Sequence, residues 1–365
     1  MRTCSCSWLV LVENTNDQHA KPGGIMNTRY NDYWSRREFL SAAALAGAGS
    51  LLRLPSDTLA AEPPPETTRV RINRTTSICS APKYVAEELL REEGFTDVQY
   101  VTTPGGLGGA KALATGETNL TLTFSGPLIL RLDAGDPILI LAGVHPGCFE
   151  LFGTDRVRSI RDLKGKTVAV DEMGASRHIF LSIMAAYVGL NPNKDITWVT
   201  HPRTESMRLL AEGKVDAYMA FPPDPIELRA KKIGHVVVNS MMDRPWSQYF
   251  CCMVAANREF VRKHPAATRR ALRALLKATN ICALEPDRAA QRLVDRGLTK
   301  NYDYALQTMK EVPYDKWHEY DPEDTLRFYG LRLQEIGTIK SIPQKIIAQG
   351  TDWRFLRELK NEMKG

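Results

Sequence analysis

Three short stretches carry the residue types of an anion site. In DEMGASRH, Gly174, Ala175 and Ser176 stand just before an apolar helical pattern. Small residues there let backbone amides approach a negative group closely, and a helix N-terminus adds positive potential. Ser176 suits a helix cap equally well. Arg177 has the forked guanidinium that pairs with a carboxylate, sulfonate or phosphate, or else stays solvated. TTPGGLGG offers Gly105 and Gly106 for the same close approach, or for a plain turn. In SICSAP, Ser80 precedes a helix beginning near Pro82, where its hydroxyl either donates to a ligand or caps the helix.

Other candidates lie where strands end. FSGP puts Ser125 and Gly126 at a pocket wall or in a turn, and FPPDP puts Phe221 at a pocket edge. Asp224 is expected to cap the helix that begins near Pro225. His145, in GVHPGC, falls where the chain leaves its first α/β unit, while His178 reads as a surface or packing residue. The rings of Trp246 and Tyr249 in RPWSQYF would either stack on a planar ligand or fill the core.

These residues need elements to hold them. From Arg69 onward, short apolar runs such as VRINR, VQYVTT, NLTLTF and PILILAG alternate with helical patterns, and the same grammar restarts at TVAVD. Strands separated by helices imply parallel sheets with helices packed on both sides. One corner occurs twice: KALATGETNLTLTF ends at Phe124 and RLLAEGKVDAYMAF at Phe221, with Gly116 and Gly213 at the same place in each. Two α/β units, one inserted in the other, explain the repeat. Loops at the carboxyl ends of their strands would then face each other across a ligand cleft. Beyond residue 257 the pattern is almost purely helical.

Composition removes other classes. The net charge of +6 arises from 48 basic and 42 acidic residues that are interspersed, so no basic arm for nucleic acid is expected. No run reaches the roughly 18 apolar residues of a membrane span. Residues 1–61 read as an export signal: Arg36 and Arg37, a weakly apolar Ala/Gly run, then small residues at Ala60 and Ala61. The order Ser-Arg-Arg-x-Phe-Leu resembles a twin-arginine signal. Met26 opens a signal of more usual length, which would make residues 1–25 an extension. The cysteines beyond this segment are Cys79, Cys148, Cys251, Cys252 and Cys282, too scattered for a disulfide framework or a zinc motif. They fit free buried thiols, or one disulfide from Cys148 to Cys251 or Cys252.

The segments ALATGETNLTLTFSGP, LKGKTVAVDEMGAS, LLAEGKVDAYMAFPP and FVRKHPAATRRALRALLKA, in this order, resemble the periplasmic solute-binding proteins of ABC importers. The branch is that of nitrate, sulfonate, taurine and thiamine-pyrimidine-precursor receptors. The resemblance implies a bilobal type II periplasmic-binding-protein-like α/β fold, with two parallel-sheet lobes joined by crossover strands near CFELFGT and SQYFCCMVA, and a helical C-terminal tail. Lobe one would take residues 69–146 and 255–365, and lobe two residues 147–254. It further implies a monomer in the periplasm that passes a small anionic, sulfonate-like or heterocyclic solute to an ABC permease and its ATPase, after export through the twin-arginine machinery. Neither a cofactor, a metal nor a catalytic residue is expected, since G-x-S-x-G, H-E-x-x-H and a phosphate loop are all missing. The alternative on the same fold is an iron-dependent thiamine-pyrimidine-precursor synthase that consumes a His. Such enzymes carry a denser cysteine cluster than FCCM and are not exported, so the signal at Arg36 and Arg37 favours a receptor.

Overall fold

A computed structural model describes residues 62–75, 77–103 and 107–363. The export signal read at residues 1–61 lies outside the described residues, as do Gly105 and Gly106. Ten strands follow in chain order: β1 (Arg69–Arg74), β2 (Asp97–Thr102), β3 (Leu120–Phe124), β4 (Ile138–Pro146), β5 (Glu150–Gly153), β6 (Lys166–Val170), β7 (Ile196–Thr200), β8 (Ala217–Ala220), β9 (His235–Asn239) and β10 (Phe250–Asn257). They form two five-stranded sheets, ordered β2-β1-β3-β10-β4 and β7-β6-β8-β5-β9. Every residue of β4, β8 and β10 is buried, as their unbroken apolar runs require of strands covered on both faces.

The sheets are mixed where the strand–helix grammar predicts parallel ones. In the first, β10 runs antiparallel to β3 and β4; in the second, β5 runs antiparallel to β8 and β9. The cause is the connections. Chain leaving β4 passes through Gly147, Cys148 and Phe149 straight into β5, so it enters the second sheet from the end at which the parallel strands finish. The return from β9 into β10 does the same in the other direction. These strands are the CFELFGT and SQYFCCMVA stretches.

The repeated corner holds both sheets together by the same bonds. Gly116 and Gly213 take positive φ values of 76° and 65°, which a residue without Cβ adopts freely. Three positions later, Asn119 Oδ1 accepts from the Arg71 amide and Asp216 Oδ2 from the Thr167 amide, both at 2.8 Å. Each side chain thereby fastens neighbouring strands of its sheet, β3 to β1 and β8 to β6. The carbonyls of Gly116 and Gly213 accept from Arg71 and Arg156 at 2.9 and 2.8 Å.

Helices cover both sheets, and the twenty-residue helix Pro265–Leu284 begins the tail. The tail returns to the first sheet, where Thr351 bridges Ile140 and the Asp352 amide donates to the Ile140 carbonyl at 3.0 Å. Its helix Pro322–Glu335 buries Leu326, Tyr329 and Leu333, and Thr325 Oγ1 accepts from the Phe250 amide at 2.9 Å. Among the described residues no helix is long and apolar enough to cross a membrane.

Candidate functional site

A cavity of about 640 Å³ opens where the strands of both sheets end. The first sheet contributes the loop after β1, Thr102 and Thr103 after β2, and Phe124. The second contributes Asp171 after β6, Ala175–Arg177, Arg203, and Phe221 with Asp224 after β8. Cys148, Phe149, Cys251 and Cys252 of the two connections form its floor.

Five helices begin at this cavity: Gly108–Ala114, Ser125–Asp133, Ser176–Tyr187, Arg203–Ala211 and Asp224–Ala230. None of their first turns is capped by the side chain of its N-cap residue. Among helices that start elsewhere, Asn257, Asn301 and Asp321 each cap one and Glu66 accepts the amides of Ala266 and Ala267, whereas Pro286–Asp295, Pro343–Gly350 and Arg354–Glu362 likewise have no N-cap side-chain bond. Unspent first-turn amides and the macrodipole both favour negative charge, and although the Asp224 amide already donates to the Phe221 carbonyl and Pro127 and Pro225 carry no N–H, the cavity draws positive potential from helix starts of both sheets.

The wall of the second sheet is stiffened by ions. Arg177, 3% exposed, donates to Asp171 Oδ2 and Asp224 Oδ2, both at 2.7 Å, and its guanidinium lies 3.9 Å from the centre of the Phe221 ring. Asp224, fully buried, also accepts from Tyr218 Oη at 2.6 Å and from Arg203 Nε. Burial by itself would lower the pKa of Arg177, but Tyr218, Asp224 and Asp171 outweigh it and raise it. Arg177 Nε is buried with no partner, leaving one guanidinium donor unspent. In the first sheet, fully buried Lys83 donates to the Asn73 carbonyl at 3.0 Å and to Thr75 Oγ1 at 3.3 Å, fixing the loop after β1. Burial pulls this lysine down to about 7.

Of the residues singled out in sequence, Ser80, Ala175, Ser176 and Phe221 line the cavity. Ser176 is the first residue of its helix and Ala175 takes the cap position, so the serine does not cap. Ser80 sits in the 3-10 turn Ile78–Ser80, and Ala81 occupies the cap position of the next helix. Gly174 supplies the turn, with φ at 82°, but its amide donates to His178 Nδ1 at 3.1 Å and is thereby spent. The lining does not include Gly174, Ser125, Gly126, His145, Trp246 or Tyr249. Ser125 Oγ donates to the Phe250 carbonyl at 3.2 Å. At Gly126, a Cβ would come within 2.6 Å of Ile179 Cγ2, so glycine there serves helix approach. Trp246 packs against Phe180, Tyr187 and Phe328, while Tyr249 stacks on Phe328 at 4.2 Å. Phe124, Phe149 and Phe221 supply the aromatic wall instead. Asp224 was expected as a helix cap; Pro223 holds that position and the carboxylate goes to the two arginines and Tyr218.

Sequence reasoning offered free buried thiols, or a bond from Cys148 to Cys251 or Cys252, but did not place these residues on the floor of the cavity. Cys148 Sγ lies 2.9 Å from Cys251 Sγ, which is 3.9 Å from Cys252 Sγ, and all five cysteines among the described residues are free thiols. The signal was present: two antiparallel connections must pass side by side, and one carries Cys148 while the other carries the Cys-Cys pair. Burial pushes the Cys148 and Cys251 thiols well up, whereas hydrogen bonds from Cys148, Cys251 and Cys79 hold Cys252 well below the ordinary thiol range.

His178 gives the site a pH dependence. Burial against Trp198, with ring centres 4.7 Å apart, pulls it down to about 4. The unfolded chain then binds the proton first, so stability falls as pH drops from about 6.5 to about 4 and the loss is complete below that, amounting to about 3 kcal/mol. Urea unfolding midpoints at pH 7 and pH 4.5 are expected to differ less in His178→Gln than in the unaltered protein.

The architecture is that of the bilobal periplasmic binding proteins. NrtA, the periplasmic nitrate-binding protein of Synechocystis PCC 6803, superposes with a TM-score of 0.67 at 14% identity, covering 83% of this chain and 90% of that one. The alkanesulfonate-binding protein SsuA from Xanthomonas axonopodis pv. citri, bound to MOPS, gives 0.63 at 18%, covering 80% and 100%. At such identities the likeness carries the fold alone. The family model described as NMT1/THI5 like matches residues 79–289, more than half of the chain, and the chain belongs to that family. In sequence, the bicarbonate-binding protein CmpA of Synechococcus elongatus is 26% identical over 115 residues, 32% of this chain. The chain spans about a quarter of the length of the curated relatives it matches, 25% in each case.

Proposed function

We propose that this protein is the extracytoplasmic solute-binding component of an ABC importer and that it captures a small organic anion between its two sheets. The observation that carries the reading is the convergence of five helix starts without side-chain caps, drawn from both sheets, on one cavity. An acidic head group would accept from those amides. The Phe124, Phe149 and Phe221 rings would hold an organic remainder, and a cavity of about 640 Å³ has the size of a small-molecule site. A solute touching both walls makes its full set of contacts only when the cleft is closed, so it shifts an open-to-closed equilibrium. The closed form would then dock on a permease. Binding without turnover, a location outside the cytoplasm and export by the twin-arginine route belong to the same reading. The family and the nitrate, bicarbonate and sulfonate receptors among its likenesses support it.

The test is a melting-temperature series with nitrate, bicarbonate, an alkanesulfonate and an aromatic carboxylate. An organic anion is expected to raise the midpoint, with about 2.7 kcal/mol of added stability at a hundredfold excess over its Kd. No shift with any of the four, or recovery of a bound compound in altered form, overturns the proposal.

A further inference from the structure

We propose that Cys79, His145, Cys252 and one thiol of the Cys148–Cys251 pair bind a soft closed-shell metal ion, of the Zn(II) or Cu(I) class, at the floor of the cavity. A ring nitrogen of His145 and the sulfurs of Cys79 and Cys252 all lie within 4.8 Å of one another, and His145 makes a second such group with Cys148 and Cys251. All five residues are buried. Four zinc–sulfur bonds of about 2.3 Å in tetrahedral array put sulfurs about 3.8 Å apart. The Cys251–Cys252 separation of 3.9 Å already matches, whereas Cys148 and Cys251 at 2.9 Å are too close for both to ligate without parting.

Two independent features show that the donors are aimed. Consecutive side chains of a regular strand point to opposite faces, so neighbouring cysteines should diverge. Here the register between β10 and β4 is irregular from Phe250 to Met253, and both thiols reach the cavity. Bulges re-aim side chains in this way beside functional sites. The second feature is His145, which is fully buried. Its Nδ1 lies 2.8 Å from the Gly147 carbonyl and therefore carries the proton, while Nε2 is buried with no hydrogen-bond partner. A metal-bound histidine is held in just this manner, one nitrogen donating to a carbonyl and the other left to the ion. No carboxylate joins either group, which excludes the hard cations Mg²⁺ and Ca²⁺ and leaves the thiophilic ones. Cys79, Cys148, Cys251 and Cys252 line the cavity, which supplies the ion's path of entry. Each thiol that coordinates releases its proton.

The experiment uses the reduced, metal-stripped full chain without added solute, so that its failure leaves anion capture untouched and a failure of anion capture leaves it standing. Zn²⁺ and Cu⁺ are titrated against a chromophoric chelator of each ion, and Co²⁺ serves as the optical stand-in for Zn²⁺. One equivalent is expected to bind, with thiolate-to-cobalt charge-transfer absorption; the arm that binds the tighter names the ion. Cys252→Ser and His145→Gln are each expected to lower affinity by at least about tenfold, whereas Cys282→Ser, outside the cluster, leaves it unchanged. Should a variant fail to fold, alkylation of the unaltered protein at a denaturant concentration that opens the core decides, since all these thiols are buried in the native fold and the ion must slow modification of the cluster thiols more than that of Cys282. No stoichiometric uptake after reduction, undiminished affinity in a folded Cys252→Ser, or equal alkylation with and without ion overturns the proposal.

Discussion

Asp224→Ala is expected to remove about 3–5 kcal/mol of folding free energy, read as a lower urea midpoint at unchanged slope. The carboxylate is fully buried and serves three donors at once: Arg177, Arg203 and the Tyr218 hydroxyl. Its loss leaves Tyr218 without that acceptor and takes from Arg177 one of the two carboxylates that compensate its buried charge. Truncating one member of a buried pair costs far more than the pair is worth, because the remaining charge stays in a medium that solvates it poorly. Arg203 is 40% exposed, so Arg203→Ala should cost roughly 1 kcal/mol or less. Equal losses in the two variants would mean that Asp224 is worth no more than a surface partner. The same network fixes Arg177 against Phe221 on the cavity wall, so Asp224→Ala should also weaken any anion the cavity binds.

The fold was legible because its signals are local. Gly116 and Gly213 each end a helix and start a strand, and a turn that requires positive φ writes itself into the sequence twice. The mixed sheets were not legible from strand–helix alternation, since direction in β5 and β10 is set by which end of the sheet the connection enters. Site residues divide along the same line. Ala175 and Ser176 stand at a strand–helix turn whose position local pattern fixes, and they line the cavity. Trp246, Tyr249 and Gly126 were judged on residue type, yet their surroundings come from Phe328 and Ile179, remote in sequence. Asp224 has the right spacing for a cap, but buried arginines compete for a carboxylate more strongly than backbone amides do. The cysteine floor is the extreme case: Cys79, Cys148 and Cys252 meet only because the two connections cross beside the loop after β1.

Ala175→Asp is expected to weaken anion binding far more than it changes stability. Ala175 occupies the cap position of Ser176–Tyr187 with φ at −77° and ψ at 176°, the extended geometry from which an aspartate side chain reaches the first-turn amides. At a position only 1% exposed, the gain of up to about 1 kcal/mol from the new cap is opposed by the cost of desolvating the carboxylate. The aspartate also puts a fixed negative charge on amides that would otherwise receive the solute's acidic group. Like charges in contact at an interface cost several kcal/mol, so affinity for an organic anion should fall by about a hundredfold or more in calorimetric titration. Ala175→Asn supplies the control, because asparagine occupies the same amides without the charge. Its deficit measures blocked hydrogen bonds and lost space, and the excess in Ala175→Asp measures repulsion. If the two variants bind equally, the helix start is not where the anion sits, and the electrostatic convergence of five uncapped helices loses its meaning for function.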